Sequence, residues 1–345
     1  VRRPADDAMG FSLSGAALGY LCDVLVGDPR RGHPVAAFGR AAGAAERLLW
    51  RDGRASGVLH TALCVGGVGA GAAALGRLAR RLPAPRACDA ALSAAVTWSA
   101  LGGTSLAREA RAIGAALARG DVAAARARLP HLCGRDPQGL DADGIARAVV
   151  ESVAENTSDA VVGALVWGGL AGVPGVAAFR AVNTLDAMVG HRSPRYRRFG
   201  WAAARLDDVA GWPGSRLTAA LAVLCGPDPA AARAAWRADA RRHPSPNAGP
   251  VEAAFAGALG VRLGGTLAYG GRVEHRPVLN GAGRAVAVAD VERAVRLSRR
   301  VGALALGAAL AAHAAGRAAG RAASRAGQRP AHQRADRARR RHGGR

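Results

Sequence analysis

The sequence predicts an all-α, polytopic integral membrane helical protein, with extramembrane helical loops and one small β-hairpin near residues 262–276. Three observations lead there. Residues 58–76 and 160–179 carry no formal charge, and each is close to the ~20 apolar residues that a spanning helix needs. Gly67 and Gly71, and again Gly168 and Gly172, lie four apart, a spacing that lets helices approach closely in lipid. The segments between are alanine-rich, and strand-like composition is confined to one short piece. A soluble bundle of Ala/Gly helices is the alternative, because mean hydropathy is near zero. Arginines flank the 58–76 run on both sides, so charge bias does not orient the chain.

Taken in order, residues 1–8 read as a frayed polar N-terminus, 9–312 as the membrane-embedded domain, and 313–345 as a disordered basic tail. The apolar segment 11–26 is short for a span, is interrupted by Asp23, and lacks the flanks of a signal peptide. Gly27 to Pro34 is a turn by its Gly and Pro content, and 35–50 is an amphipathic helix. After the 58–76 run comes a second candidate span at 87–107, weakened by Asp89. Residues 108–150 form an extramembrane helical region, broken near Gly120 and Pro130, with Asp121 and Asp141 placed as N-caps. The 160–179 run follows, then a surface helix over 228–242 and a Pro-rich loop over 243–252. A helix to Leu259 precedes the hairpin, which Gly264-Gly265 and Gly270-Gly271 bracket. A charged helix over 290–300 feeds the fourth apolar run, 301–316.

Composition excludes several chemistries. The 345 residues hold 48 basic side chains, all arginine. Without lysine there is no Schiff base and no Walker-type phosphate loop. The tail contributes +9 of the net +23, and the remainder lies in loops between apolar runs. With no aromatic-basic interleaving, that charge suits an anionic lipid surface or anionic substrates, and no nucleic-acid partner is expected. Cys22, Cys64, Cys88, Cys133 and Cys225 form no Cys-x-x-Cys pair, which disfavours zinc ribbons and thioredoxin-like redox chemistry.

The polar residues beside the apolar runs are the candidates for function. Glu151, Glu155 and Asp159 fall at i, i+4 and i+8, so on one regular helix they share a face. Such a face repels itself unless a cation joins it, which admits a Mg²⁺ or ammonium site as well as a solvated acid cluster. Trp201, Arg205, Asp208 and Trp212 form a stripe, readable as a surface ion pair with aromatics or as a site containing Asp207 and Asp208. Asn183 and Asp186 follow the 160–179 run and serve equally as helix caps. Ser245, Asn247 and Gly249 can present backbone N–H groups to phosphate, or simply cap a helix. His33 and His243 each precede a proline and have no partner at metal-ligand spacing.

The wording of these strings is more specific than any single residue. Glu151-Ser-Val-Ala-Glu-Asn-Thr-Ser-Asp159, Asn183-Thr-Leu-Asp-Ala-Met-Val-Gly190, Phe199-Gly-Trp-Ala-Ala-Ala-Arg-Leu-Asp-Asp-Val209 and His243-Pro-Ser-Pro-Asn-Ala-Gly249 resemble the adenosylcobinamide-phosphate synthase family of cobalamin biosynthesis (CobD/CbiB). Asp23, Gly27-Asp28-Pro29 and His33-Pro34 fit as well, and the resemblance extends from about Gly19 to about Ala305. Departures are Ala160 for a usual Gly, Ala164 for a frequent Pro, and Gly211 where an Asn usually precedes the Trp.

The resemblance implies a multi-pass enzyme of the cell membrane. It joins adenosylcobyric acid to aminopropanol or its phosphate as an amide, consuming ATP with Mg²⁺. For that reaction Glu151, Glu155, Asp159 and Asp186 are the expected metal ligands, and Asp207, Asp208 and Arg205 the expected catalytic residues. Asp28, His33, Asn156, Asn183, His243, Ser245, Asn247, Gly249 and Glu252 are then the substrate and phosphate contacts. The expected partners are these substrates, the lipid bilayer and other cobalamin-assembly enzymes. A membrane transporter or a non-enzymatic corrinoid scaffold is the alternative, since intramembrane acids also mark ion pathways.

Overall fold

The computed structural model describes residues 12–28, 32–134, 136–269 and 272–342; the expected frayed segment 1–8 and the centre of the Gly27–Pro34 turn lie outside them. The N-terminal helices are α1 (Leu13–Val26), α2 (Pro34–Leu49), α3 (Arg54–Ala79) and α4 (Pro85–Ala100). They are followed by α5 (Gly103–Ala118), α6 (Val122–Arg128), α7 (Ala142–Thr157) and α8 (Gly163–Leu185). The C-terminal part holds α9 (Trp201–Cys225), α10 (Pro229–Asp239), α11 (Ala248–Leu259), the strands β1 (Leu263–Tyr269) and β2 (Arg272–Leu279), and α12 (Ala289–His342).

The local signals act where the sequence placed them. Asp121 and Asp141 each accept a backbone N–H of the first helical turn, at 2.8–2.9 Å, and Asp228, not expected as a cap, does the same at 2.9 Å. Helix α11 ends at Gly260 in the left-handed conformation, φ +68°. The two strands pair antiparallel, with an irregularity between Leu263 and Gly265, so the expected hairpin is present and runs on to Leu279.

Helix α8 lies at the centre. It packs on α3, α4, α9 and α12, while α12 also covers α5, α7 and α9. The side chains that fill this core are small, which is how so many helices come close: Ala148, Val149, Val153, Val162, Leu165, Val176, Val301 and Ala305 are all buried. Two π-helical turns interrupt the α7–α8 rod, at Ser158–Val162 and at Asp186–Gly190. Between them α8 kinks at Gly172, φ +68°, two residues before Pro174. A second small core of Ala42, Leu185, Val189, Phe199 and Ala203 fastens the 191–200 segment to α2 and α3.

The apolar runs meet different fates. Among the described residues two helical stretches are long and apolar enough to cross a membrane, Arg54–Ala79 and Ala142–Gly190. Only 17% of the apolar window of the first is buried, against 61% of the second. So α3 turns Val58, Leu59, Leu63, Leu75 and Leu78 outward, and Leu18, Leu21 and Leu25 of α1 are exposed as well. The second stretch is largely a core element. The expected 87–107 span is not one helix: Leu101 and Gly102 break it into α4 and α5. The 301–316 run is part of α12 rather than a separate span.

The tail expected to be disordered is instead helical through His342, continuing α12. Alanine and arginine are strong helix formers, and that propensity continues where the apolar pattern stops.

Candidate active site

A cavity of about 530 Å³ lies where the two π turns, the first half of α9 and the 243–248 loop converge. Glu155 and Asp159 reach it from the end of α7 and the first π turn, Asp186 from the second, and Asp207 and Asp208 from α9. An α-helix that gains one residue in a π turn rotates its continuation by about 100°. The break at Gly172 folds the second half of α8 back on the first, with Phe179 against Gly163, so that Asp159 and Asp186, at opposite ends of α8, face one space. Asp159 has Glu155, Asp207 and Asp186 as like-charged neighbours, and Asp208 repels Asp186.

Arginines complete the wall. Arg192, Arg197 and Arg205 are exposed at the mouth, whereas Asp159, Asp186, Asp207 and Asp208 are half-buried. Arg205 Nη1 donates to Asp208 at 2.9 Å, as the i, i+3 spacing predicts. His191, Tyr196, Trp201 and Arg276 also line the cavity. Tyr196 is held by its hydroxyl, which donates to Glu46 at 2.9 Å, and the adjacent Arg195 donates to the same carboxylate at 3.0 Å. Arg195 also stacks over Trp50, its guanidinium carbon 4.6 Å from the ring centroid.

Asp207 has the most altered acidity outside the two candidate spans. Burial pushes its carboxyl up to about 7, the Asp186 charge adds to this, and a hydrogen bond from Asn183 opposes it. A carboxylate near neutrality is suited to exchange a proton with an amine.

Asn247 is the organiser of this wall. Its Nδ2 donates to the Asp208 carbonyl at 2.9 Å and the Asp207 carbonyl at 3.4 Å. Its Oδ1 accepts from Arg216 at 2.9 Å and from Ser215 at 3.2 Å. The bonds fall where Pro213 interrupts the ladder of α9, and Trp167 and Ser215 take the nearby carbonyls of Ala210 and Trp212. Gly211 makes the approach feasible, because a Cβ there would stand 2.6 Å from Asn247 Nδ2. The space beside Gly211 is thus taken by Asn247.

Several expected site residues do other work. Glu151 is buried and accepts the Gly264 N–H at 2.7 Å, so it ties α7 to β1 and does not join Glu155 and Asp159. The face is shared as the spacing required, but one turn further back the hairpin covers it. The backbone N–H groups of Asn247 and Ala248 are both taken by Ser245 Oγ, at 3.2 and 3.1 Å, and Gly249 N donates to Ser245 O. The 245–249 segment is therefore a self-capped helix start and not a phosphate cradle. His33 accepts the Val35 N–H and begins α2, away from the cavity. Asn156 donates to Ser152 within its own helix. Asp28 acts with Asp159 on the Arg180 guanidinium, and is not part of the cavity wall. His243 lines the cavity, with Glu252 behind it at 3.8 Å.

The residues that sequence reasoning missed are Arg192, Tyr196, Arg197 and Arg276. The arginine-dense run between His191 and Arg198 was the only signal for the first three, and Arg276, in β2, had none.

Among the described residues no three His, Cys, Asp or Glu side chains form a ready metal cage, so the expected set of Glu151, Glu155, Asp159 and Asp186 is not assembled as such. Mg²⁺ seldom needs a cage: it keeps several waters and takes one or two carboxylates plus substrate phosphates. The hard oxygen donors of Glu155, Asp159, Asp186, Asp207 and Asp208, facing one polar cavity, fit that mode.

Comparison with known proteins agrees with the strings. The family model of the CobD/Cbib protein matches residues 16–298. The cobalamin biosynthesis protein CobD of Mycobacterium tuberculosis is 57% identical over 291 residues, 83% of this chain and 91% of that relative. Those of Chromobacterium violaceum and Geobacter metallireducens are 42% and 44% identical, over 82% and 75% of this chain and 91% and 83% of theirs. No solved structure matches. The chain belongs to the CobD/CbiB family of cobalamin biosynthesis proteins.

Proposed function

We propose that the cavity forms the amide bond between a propionate of adenosylcobyric acid and the amine of aminopropanol or its phosphate, driven by ATP. The observation that carries this reading is the convergence of five carboxylates and four guanidiniums on one space. Bond formation between a carboxylate and an amine needs the carboxylate oxygen converted to a leaving group. ATP supplies it by transferring its terminal phosphoryl group to the propionate. The amine then attacks the acyl carbon, inorganic phosphate leaves with the C–O electron pair, and the ammonium proton passes to a base.

The chain's own groups divide these tasks. Arg192, Arg197 and Arg205 at the mouth attract and orient the phosphates, which lysine cannot do here. Glu155, Asp159 and Asp186 are the carboxylates that would hold Mg²⁺, whose charge would offset that of the phosphates. Asp207, with its acidity near neutral, receives the amine proton. Arg205 holds Asp208 in place through their ion pair.

Membrane residence is part of the proposal. It is supported by the outward leucines of α1 and α3 and by the length of α3. The expected site is the cell membrane. Recovery in the soluble fraction after a high-salt, alkaline wash would overturn that part.

The activity is tested in detergent, by supplying adenosylcobyric acid with either amine and following ATP-dependent product and ADP. Wild type should form product in both measures, and Asp159→Asn should not. Corrinoid flux into liposomes without nucleotide turnover would replace the ligase with a carrier.

A further inference from the structure

A second cavity, of about 510 Å³, adjoins the acid pocket and is lined by Arg54, Arg197 and Arg198. Arg197 belongs to both cavities. Of the three guanidiniums only Arg198 has a carboxylate in reach among the described residues, Asp52 at 3.8 Å, and both partners are well exposed. An exposed pair at that distance neutralises little. The cluster therefore holds an excess of positive charge with open donors.

Its geometry is fixed by packing. Arg54 opens α3, and its guanidinium lies 5.1 Å from the ring centroid of Trp201. Arg197 and Arg198 precede Phe199, which is 1% exposed. The Phe199 carbonyl lies so close to the first turn of α3 that a Cβ at Gly57 would collide with it. The segment carrying two arginines is thus pressed against the helix start carrying the third. No side chain caps α3 at Gly53, so that end adds partial positive charge to the same place.

We propose that Arg54 and Arg198, with Arg197 shared with the acid pocket, form an anion site that binds a phosphate group beside that pocket. Forked guanidinium donors match phosphate oxygens in charge and in bidentate geometry. Two sources share this chemistry: the headgroup of an anionic phospholipid, and the phosphate of a soluble ligand. The position favours the first, because α3 is the exposed apolar helix and its arginine end meets Trp201, a residue suited to a membrane surface.

The test uses the detergent-solubilised full chain, stripped of lipid, and reads binding alone. Short-chain phosphatidylglycerol, short-chain phosphatidylcholine and inorganic phosphate are titrated into wild type and into Arg54→Gln/Arg198→Gln, which leaves the shared Arg197 intact. Saturable binding of phosphatidylglycerol, weakened tenfold or more in the double variant and partly kept in Arg54→Lys/Arg198→Lys, supports the site with lipid as occupant. A tenfold loss for inorganic phosphate alone supports the site with a soluble occupant. Equal binding of every probe by wild type and the folded Gln variant overturns the proposal. Matching affinity for the phosphatidylcholine and phosphatidylglycerol probes, unchanged by the variants, also overturns it. Melting curves of each variant show that the comparison is between folded proteins.

Discussion

Replacing Asn247 by Ala removes the one side chain that grips the α9 backbone behind Asp207 and Asp208. The amide is 8% exposed, so water replaces its bonds poorly. A neutral bond such as that to the Asp208 carbonyl contributes about 1 kcal/mol, and one from a charged donor about 1.5–3 kcal/mol. Arg216 is partly solvated and can turn to water, and Ser215 keeps its bond to Trp212. Those two facts place the total near the lower end, about 2–3 kcal/mol. For a chain of this size that lowers Tm by roughly 4–12 °C. The catalytic effect is separate: freed from the amide, Asp207 and Asp208 shift, and a displacement near 1 Å costs on the order of 10²-fold in turnover. Melting and kcat/KM are measured together on Asn247→Ala, Gly211→Ala and the double variant. Gly211→Ala alone forces a methyl against Nδ2 and should be costly, but nearly neutral once residue 247 is Ala, a coupling of about 0.5–3 kcal/mol. Full activity in an Asn247→Ala protein of lowered Tm would refute the positioning role, and additive effects would refute the contact itself.

Three further outcomes follow from the same geometry. Asp207 has a raised pKa, so its carboxylate form is lost as pH falls through about 7, and kcat/KM at fixed Mg²⁺ should fall about tenfold per unit below that; Asp186→Asn removes one cause of the elevation and should move this limb to lower pH. Glu155→Gln and Asp159→Asn should reduce turnover by orders of magnitude and raise the Mg²⁺ needed, whereas Glu151→Ala should leave the Mg²⁺ dependence alone and cost about 1–3 kcal/mol through the lost Gly264 bond, read by melting and Mg²⁺ titration. Phe199→Ala empties the small core under the 191–200 segment and should cost about 3–5 kcal/mol in denaturant titration.

Much of this was legible in the sequence, and the failures have physical reasons. Caps at Asp121 and Asp141 are local interactions, so their residue type and position suffice to read them. The hairpin was legible for the same reason. Asp159, Asp186, Asp207 and Asp208 were singled out by the strings that contain them, but their meeting depends on the fold-back of α8 at Gly172, inside a run that reads as one continuous apolar helix. Glu151 was misassigned because its partner, Gly264, lies 113 residues away and contributes only a backbone N–H. The Ser245–Gly249 segment was ambiguous in the way any helix start is: the same donors bind phosphate or a serine hydroxyl, and only the fold shows Ser245 taking them. The 87–107 run failed because a scan of apolar content does not register the helix break at Leu101 and Gly102.

The π turns also determine how this protein can change over generations. Each is equivalent to an extra residue lodged in a helix, so losing one codon within 158–162 or 186–190 would leave a more regular backbone. It would also rotate every following side chain by about 100°, turning an acid away from the cavity. Length variation should therefore be tolerated in the loops around 80–84 and 136–139 but not in these two five-residue windows, although neither window contains a loop. A library of single-codon deletions, sorted first for expression and then for cobalamin-dependent growth, should show the two windows as the places where folded protein and function separate.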